Sequence, residues 1–570
     1  LNTVVSARNS IGPVGQTNTA SGADSSTASQ SNIAEVTQNL EGVNDCDEEN
    51  TGSNSVFCGN NFNFHQGNFI DAITQTNDGT GDGFADISQS NDAAIVQNMD
   101  LLSSCDESGD GDNSANCVNL APENVIGPVL QTNTAAGAAQ SDTSAQSSGA
   151  QVTQNLDAVN DCDEEGTGSN LAECTNVARN FVESITLTND AQVGDDTVQL
   201  NFVGMNQDLQ LSNVCDETGL GDNAADCASR GNFLKNIIGP VVQSNDAQGS
   251  GDADFTQNNN IPTINQVIDA ENDCDQADEQ TADGNNEATC GNGDIDGDEE
   301  VRNLIDSITQ TNDAEGTHVD DIFQDNTGSF SQVLTLNNGC DASGDNSASC
   351  ANAAGNFIGP VFQTNDATGL DDVLIDQDNN VAVSQDVSAN NDCDSTELND
   401  PGCFNAGFNF IDSITQTNDA TGDGFADISQ SNDAAIDQNM DLLNSCDESD
   451  DGEDDALCLN TVVSARNSIG PVDQTNTASG ADSSTASQSN IAEVTQNLEG
   501  VNDCDEENTG SNSAKDCHNS FNFHQGNFID SITQTNDATG DGFADISQSN
   551  DAAIDQNIDL LNSCDESGDG

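Results

Sequence analysis

The chain has 570 residues, a formal net charge of -94 from 101 Asp and Glu against 7 Lys and Arg, and 19 cysteines, with no Trp or Tyr. That surface repels the phosphates of nucleic acid, which need Lys and Arg, and anionic membranes for the same reason. It attracts cations, because a compact array carrying this charge must be screened to stay folded.

From the N-terminus, Leu1-Asn2-Thr3-Val4-Val5 has no basic start and no apolar core of a signal peptide. No later stretch approaches the length of a membrane span. One phrase then recurs ten times: Asn-x-Ile/Val, a short polar or Gly-Pro step, and Gln-x-Asn. Its copies begin near Asn9, Asn68, Asn124, Asn180, Asn236, Asn303, Asn356, Asn409, Asn467 and Asn527. A cysteine pair follows each of the first nine: Cys46/Cys58, Cys105/Cys117, Cys162/Cys174, Cys215/Cys227, Cys274/Cys290, Cys340/Cys350, Cys393/Cys403, Cys446/Cys458 and Cys504/Cys517. The tenth copy has Cys564 alone, which reads as a truncated register and not as a reactive thiol.

The repeats fall at 1–58, 59–117, 118–174, 175–227, 228–290, 291–350, 351–403, 404–458, 459–517 and 518–570. Odd copies carry Ile-Gly-Pro, as at Ile358-Gly359-Pro360, and even copies Ile-Asp-Ser or a variant, as at Ile411-Asp412-Ser413, so the larger period is two units. Residues 1–111 reappear almost verbatim at 459–570. The expectation is a continuing array.

Within the eighth copy, Ala426, Ile428, Gln430, Asn432, Ala434, Ile436, Gln438, Met440 and Leu442 alternate with Asp, Ser, Asn and Ala over 17 residues. Period-two alternation marks strands with one buried face. The preceding segment continues it with Ile414, Gln416, Asn418 and Ala420, so each unit offers about three strands separated by Gly/Asp/Asn turns. Inward amides are costly unless satisfied. Stacked rungs satisfy them by bonding each amide to the same amide above and below. Gln416, Asn418, Gln430, Asn432 and Gln438 are therefore the expected core amide ladder. The fold class is all-β, a repetitive β-solenoid or cross-β-like array of about ten disulfide-stapled units, with a row of β-sandwiches as the alternative.

The run Gln430-Ser431-Asn432-Asp433-Ala434-Ala435-Ile436-Asp437-Gln438 resembles the curlin repeat. The same letters stand at Gln30, Asn32, Ala34, Gln38, at Gln89, Asn91, Ala93, Gln97 and at Gln548, Asn550, Ala552, Gln556. The resemblance covers about a quarter of each unit, whose greater length and cysteine-framed loop set it apart. It implies an amyloid-like solenoid in an extracellular matrix or biofilm fibre.

The cysteines suggest an oxidising compartment. A local disulfide across a loop such as Cys105 to Cys117 is worth about 3 kcal/mol by chain entropy, and bridges between successive rungs are the other option. Its acidic residues make that loop either a solvated, stapled hairpin or a Ca²⁺ site. Between strands, Asp419-x-Thr421-x-Asp423-Gly424-Phe425-x-Asp427-x-x-Gln430 places oxygens with EF-hand-like spacing. Asp78, Asp82 and Asp86, and Asp537, Asp541 and Asp545, repeat it. Calcium would be structural there, and no cofactor is required.

Catalysis lacks a basis: His65, His318, His518 and His524 form no metal or triad pattern. Paired threonines such as Thr415-x-Thr417 resemble the faces of ice-binding proteins, although odd units lack the first Thr. The expected function is a non-enzymatic subunit of an extracellular filament, sheath or biofilm matrix. Its partners are further copies of itself and cations. The alternative is a calcium-binding surface adhesin or surface-layer protein.

Overall fold

A computed structural model describes residues 2–4, 8–23, 26–50, 55–61, 67–82, 85–109, 112–137, 143–166, 169–219, 223–229, 234–250, 253–277, 286–293, 301–343, 346–370, 373–396, 402–423, 425–450, 459–481, 484–508, 518–521, 526–541 and 545–568. Among them every regular element is a β-strand, and every strand pairing is parallel, in register apart from local shifts such as those at Phe202/Gly204 and Asn405/Ala406.

The third coil shows the plan. A first short strand, Asn113–Ile126, leads through Gly127-Pro128 into a second, Val129–Gly137, and the long strand Thr143–Gly166 lies in the opposite layer. The two short strands together match the long one and face it, because all three bury alternate side chains against one another. Strands in the same position stack into a first, a second and a long sheet, and the last two run through ten strands each. The molecule is a flattened two-layer β-solenoid. A long strand of 25 residues spans about 80 Å, and each coil rises about 4.8 Å.

One repeat makes one coil. Register partners such as Asn160 and Asn213 are 53 residues apart, and Asn245 and Asn312 are 67 apart. The two-unit period has a local steric origin at the bend between the short strands. Gly359 donates its N–H to Ile305 O, and a Cβ there would run into the carbonyl oxygen of Asp306 in the coil below. Gly127, Gly239 and Gly470 meet Asp71, Glu183 and Asp412 in the same way. A bulky bend therefore has to alternate with glycine.

The core is zoned along each coil. Ile, Val and Phe fill the bend region, Leu, Met and Ala the next stretch, and Cys with Ala the far edge.

Candidate functional site: the interior rows and the acidic edge

Each interior position becomes a row of side chains down the axis, so the site is a set of columns and not a pocket. Gln416, Asn418, Gln430, Asn432 and Gln438 are all buried. Gln416 donates to Gln363 (2.9 Å) and accepts from Gln474 (2.8 Å); Gln430 donates to Gln377 (2.8 Å) and accepts from Gln488 (2.8 Å); Gln438 donates to Gln385 (2.7 Å) and accepts from Gln496 (2.8 Å). Asn418 and Asn432 join opposite layers at 3.1 Å, and each donates onward, to Asn476 and Asn490, at 3.0 Å. The remaining N–H groups reach backbone carbonyls of the facing sheet, as from Gln416 to Asp433 O and from Gln430 to Thr477 O. These amides thus bond along the axis and across the layers together.

The rows also have polarity. Interior Gln rows donate toward the preceding coil, as Gln131 to Gln75, whereas interior Asn rows donate toward the following one, as Asn124 to Asn180. Opposed chains of amide dipoles offset one another along the axis. Where Leu187 interrupts a Gln row in register, Gln131 Oε1 is left without a partner.

At the far edge, disulfides join Cys46–Cys58, Cys105–Cys117, Cys162–Cys174, Cys215–Cys227, Cys274–Cys290, Cys340–Cys350 and Cys393–Cys403. Each ties a long strand to the first short strand of the next coil, so local closure and bridging of coils are the same bond. The sulfurs form a column: Cys105, Cys117 and Cys162 lie within 4.8 Å of one another. Cys458 and Cys517 lie outside the described residues. Asn460 takes the cysteine position opposite Cys403, and Cys446 Sγ lies 2.6 Å from its Oδ1. Cys504 and Cys564 stand in register on the long sheet.

The residue after the cysteine is Asp on every long strand, and all ten are in register, from Asp47 through Asp106, Asp163, Asp216, Asp275, Asp341, Asp394, Asp447 and Asp505 to Asp565. Burial first, and neighbouring aspartates second, push the Asp163, Asp275 and Asp394 carboxyls up to about 6.

The carboxylates with EF-hand-like spacing do not form one wrapped loop. Asp419, Thr421 and Asp423 lie on the outer face of one extended strand (Ile414–Asp423), and Asp427 lies on the outer face of the long strand (Ala426–Asp450) in the opposite layer. Gln430 is committed to its row. Asp78 and Asp86, and Asp537 and Asp545, are divided in the same way, with Asp82 and Asp541 ending their short strands. Strands carry alternate residues to opposite faces, whereas an EF-hand loop curls its oxygens inward around the ion. The outward threonine column through Thr364, Thr417 and Thr475 is continuous, but its neighbour reads Phe362, Thr415, Asp473, so no paired ladder forms.

Sequence patterning missed a row of inward carboxylates two residues beyond the cysteines: Glu107, Glu164 and Glu217 stand in register and are 2, 1 and 0 % exposed. Burial foremost, then a neighbouring glutamate, pushes Glu164 and Glu217 up to about 8, against the nearby backbone N–H groups of Leu171 and Ala224, which pull down. The detectable signal was the alternation itself, which puts Glu164 on the same face as Cys162. By contrast Glu123, also buried, is neutralised by Arg179 at 2.7 Å.

No helix among the described residues is long and apolar enough to cross a membrane. No protein-family model, curated protein or solved structure matches this chain.

Proposed function

We propose that this protein is a non-enzymatic structural subunit that polymerises coaxially into an extracellular filament, sheath or matrix. One observation carries the reading: the junction needed between two copies already exists inside one chain. Residues 409–449 and 527–567 differ only at Met440/Ile558, and residues 1–55 and 459–513 only at Gly15/Asp473. The tenth coil therefore carries the side chains that the eighth presents to the ninth, and the first coil is equivalent to the ninth.

The outermost coils of residues 1–570 leave matching positions uncovered. Ile554 and Ile558 are 55 % and 51 % exposed, whereas Ile436 and Met440 in the eighth coil are 3 % and 2 % exposed. A Cβ on Gly12 would meet nothing within 4 Å, whereas one on the equivalent Gly470 would run into Asp412 O. Open, in-register parallel edges template further strands. The seven disulfides among the described residues suit an oxidising environment, and the curlin resemblance points the same way.

Gly12→Ala tests the reading. It should leave the single chain folded, because the space is empty. It should block assembly, because the added methyl would meet Asp530 of a second copy as Gly470 meets Asp412. Gly15→Ala, at a position that holds Asp473 in the ninth coil, is the control and should assemble. Electron microscopy showing wild-type and Gly12→Ala filaments of equal length, or no wild-type filaments under any screening conditions, would overturn it.

A further inference from the structure

The glutamate row beside the disulfides has the makings of an ion site. Glu164 belongs to the third coil and Glu217 to the fourth, directly in register. Their side chains occupy space left by small partners, since Ala172 and Ala225 on the facing strand are buried. Next to them Asn113 and Asn170 pack against Gly166, where a Cβ would run into both. Asn170 is 3 % exposed, and neither its Oδ1 nor its Nδ2 has a hydrogen-bond partner. Glu164 faces the backbone N–H of Leu171 and Glu217 that of Ala224. Even so, none of the four carboxylate oxygens attains hydrogen-bond geometry.

Orphaned oxygens of this kind in a sealed interior need a cation or a proton, because an isolated buried carboxylate is very costly. Across the wall Glu123 has Arg179; among the described residues no basic side chain contributes to the environment of Glu164 or Glu217. We propose that Glu164 and Glu217, with the Asn170 amide oxygen, form an internal Ca²⁺ site that bridges the third and fourth coils. In-register strands stand about 4.7–4.9 Å apart. Ca²⁺ accepts a flexible, irregular set of oxygens such as side chains on adjacent strands offer, whereas Mg²⁺ demands near-octahedral geometry and gives up its waters reluctantly. Two carboxylates and one amide offer about five oxygens to a hard ion. In the fifth coil the row continues with Gln276, which carries no charge, so the site ends there.

The site is independent of polymerisation, and its test counts metal on the whole chain. Protein loaded with Ca²⁺ is dialysed against about 1 M NaCl, where the screening length falls to about 3 Å and the outer carboxylates release their ions. Wild type and the surface control Glu165→Gln should retain about one Ca²⁺ per chain, not displaced by a large excess of Mg²⁺. Glu164→Gln/Glu217→Gln should retain none while keeping the wild-type circular dichroism spectrum. Should the double variant fail to fold, the single Glu217→Gln, which places two Gln side by side as a natural amide row does, replaces it. A wild type that retains no Ca²⁺, a Gln variant that retains as much as wild type, or equal displacement by Mg²⁺ would overturn the site. The carboxyls would then be protonated members of the row.

Discussion

At the residue scale the protein's chemistry is repetition. Asn379 donates to Thr417 O, Asn418 and Asn432 and accepts from Asn326 and Asn365, so removing it orphans groups in three coils. Asn379→Ala should cost about 1–3 kcal/mol for the unsatisfied partners, plus a cavity contribution. The outward Thr415→Ala should stay within about 0.5 kcal/mol. Urea midpoints compare them, and equal midpoints would mean that the amide rows contribute no more than exposed side chains. Titration is the second residue-scale effect. Asp275, Asp394 and Asp378 are pushed up to about 6, mainly by burial and then by neighbouring aspartates. A raised acid holds its proton in the folded state where the unfolded chain has lost it. Its contribution is therefore complete at pH values below the ordinary aspartate range and declines as pH rises through about 6. The groups are half exposed, so screening keeps each contribution modest. The urea midpoint should be higher at about pH 4.5 than at about pH 7.5, and the reverse order would refute this account.

At the element scale the bend decides how coils stack. Gly359 has the carbonyl of Asp306 where its Cβ would be, and Asp412 is an exposed bend residue in the following coil. Gly359→Ala should cost about 1–3 kcal/mol through enforced backbone shifts, and Asp412→Ala should be nearly neutral. Thermal unfolding distinguishes them, and two similar melting temperatures would dissociate the Gly-Pro alternation from stacking. Strand existence and inward faces were legible, because period-two patterning extends unbroken through Ala426–Leu442. The amide rows were legible too, since an inward Gln or Asn has few other ways to be satisfied. The placement of Asp419 and Asp423 on one strand and of Asp427 in the opposite layer was not, because spacing along a chain does not distinguish a curled loop from an extended strand. Nor was the seat of Asn460, which depends on where the first sheet shifts register, between Asn405 and Ala406.

At the scale of the whole molecule, coils touch their neighbours along one axis, so stability accumulates by stacking, and the proposed filament extends the same contacts. Net charge opposes that growth. Raising ionic strength, or adding divalent ions, should lengthen filaments by shortening the reach of carboxylate repulsion. Fibre diffraction of aligned material should show a meridional spacing near about 4.8 Å. Filaments with only a coarser repeat would mean separate particles strung together.

The sequence by itself determined that this chain is β-structured, repeats ten times, alternates a buried amide face with an acidic one, and places cysteines at one edge of every unit. Those follow from local periodicity, which is written in neighbouring residues. Only the tertiary structure decided that one repeat makes one coil, that two short sheets oppose one long one, and that each disulfide ties successive coils. It also decided that glycine must alternate at the bend and that Glu164 and Glu217 share a sealed interior. Each of these depends on which residues 53 to 67 positions apart come within about 4.8 Å, and that is set by how complete coils pack.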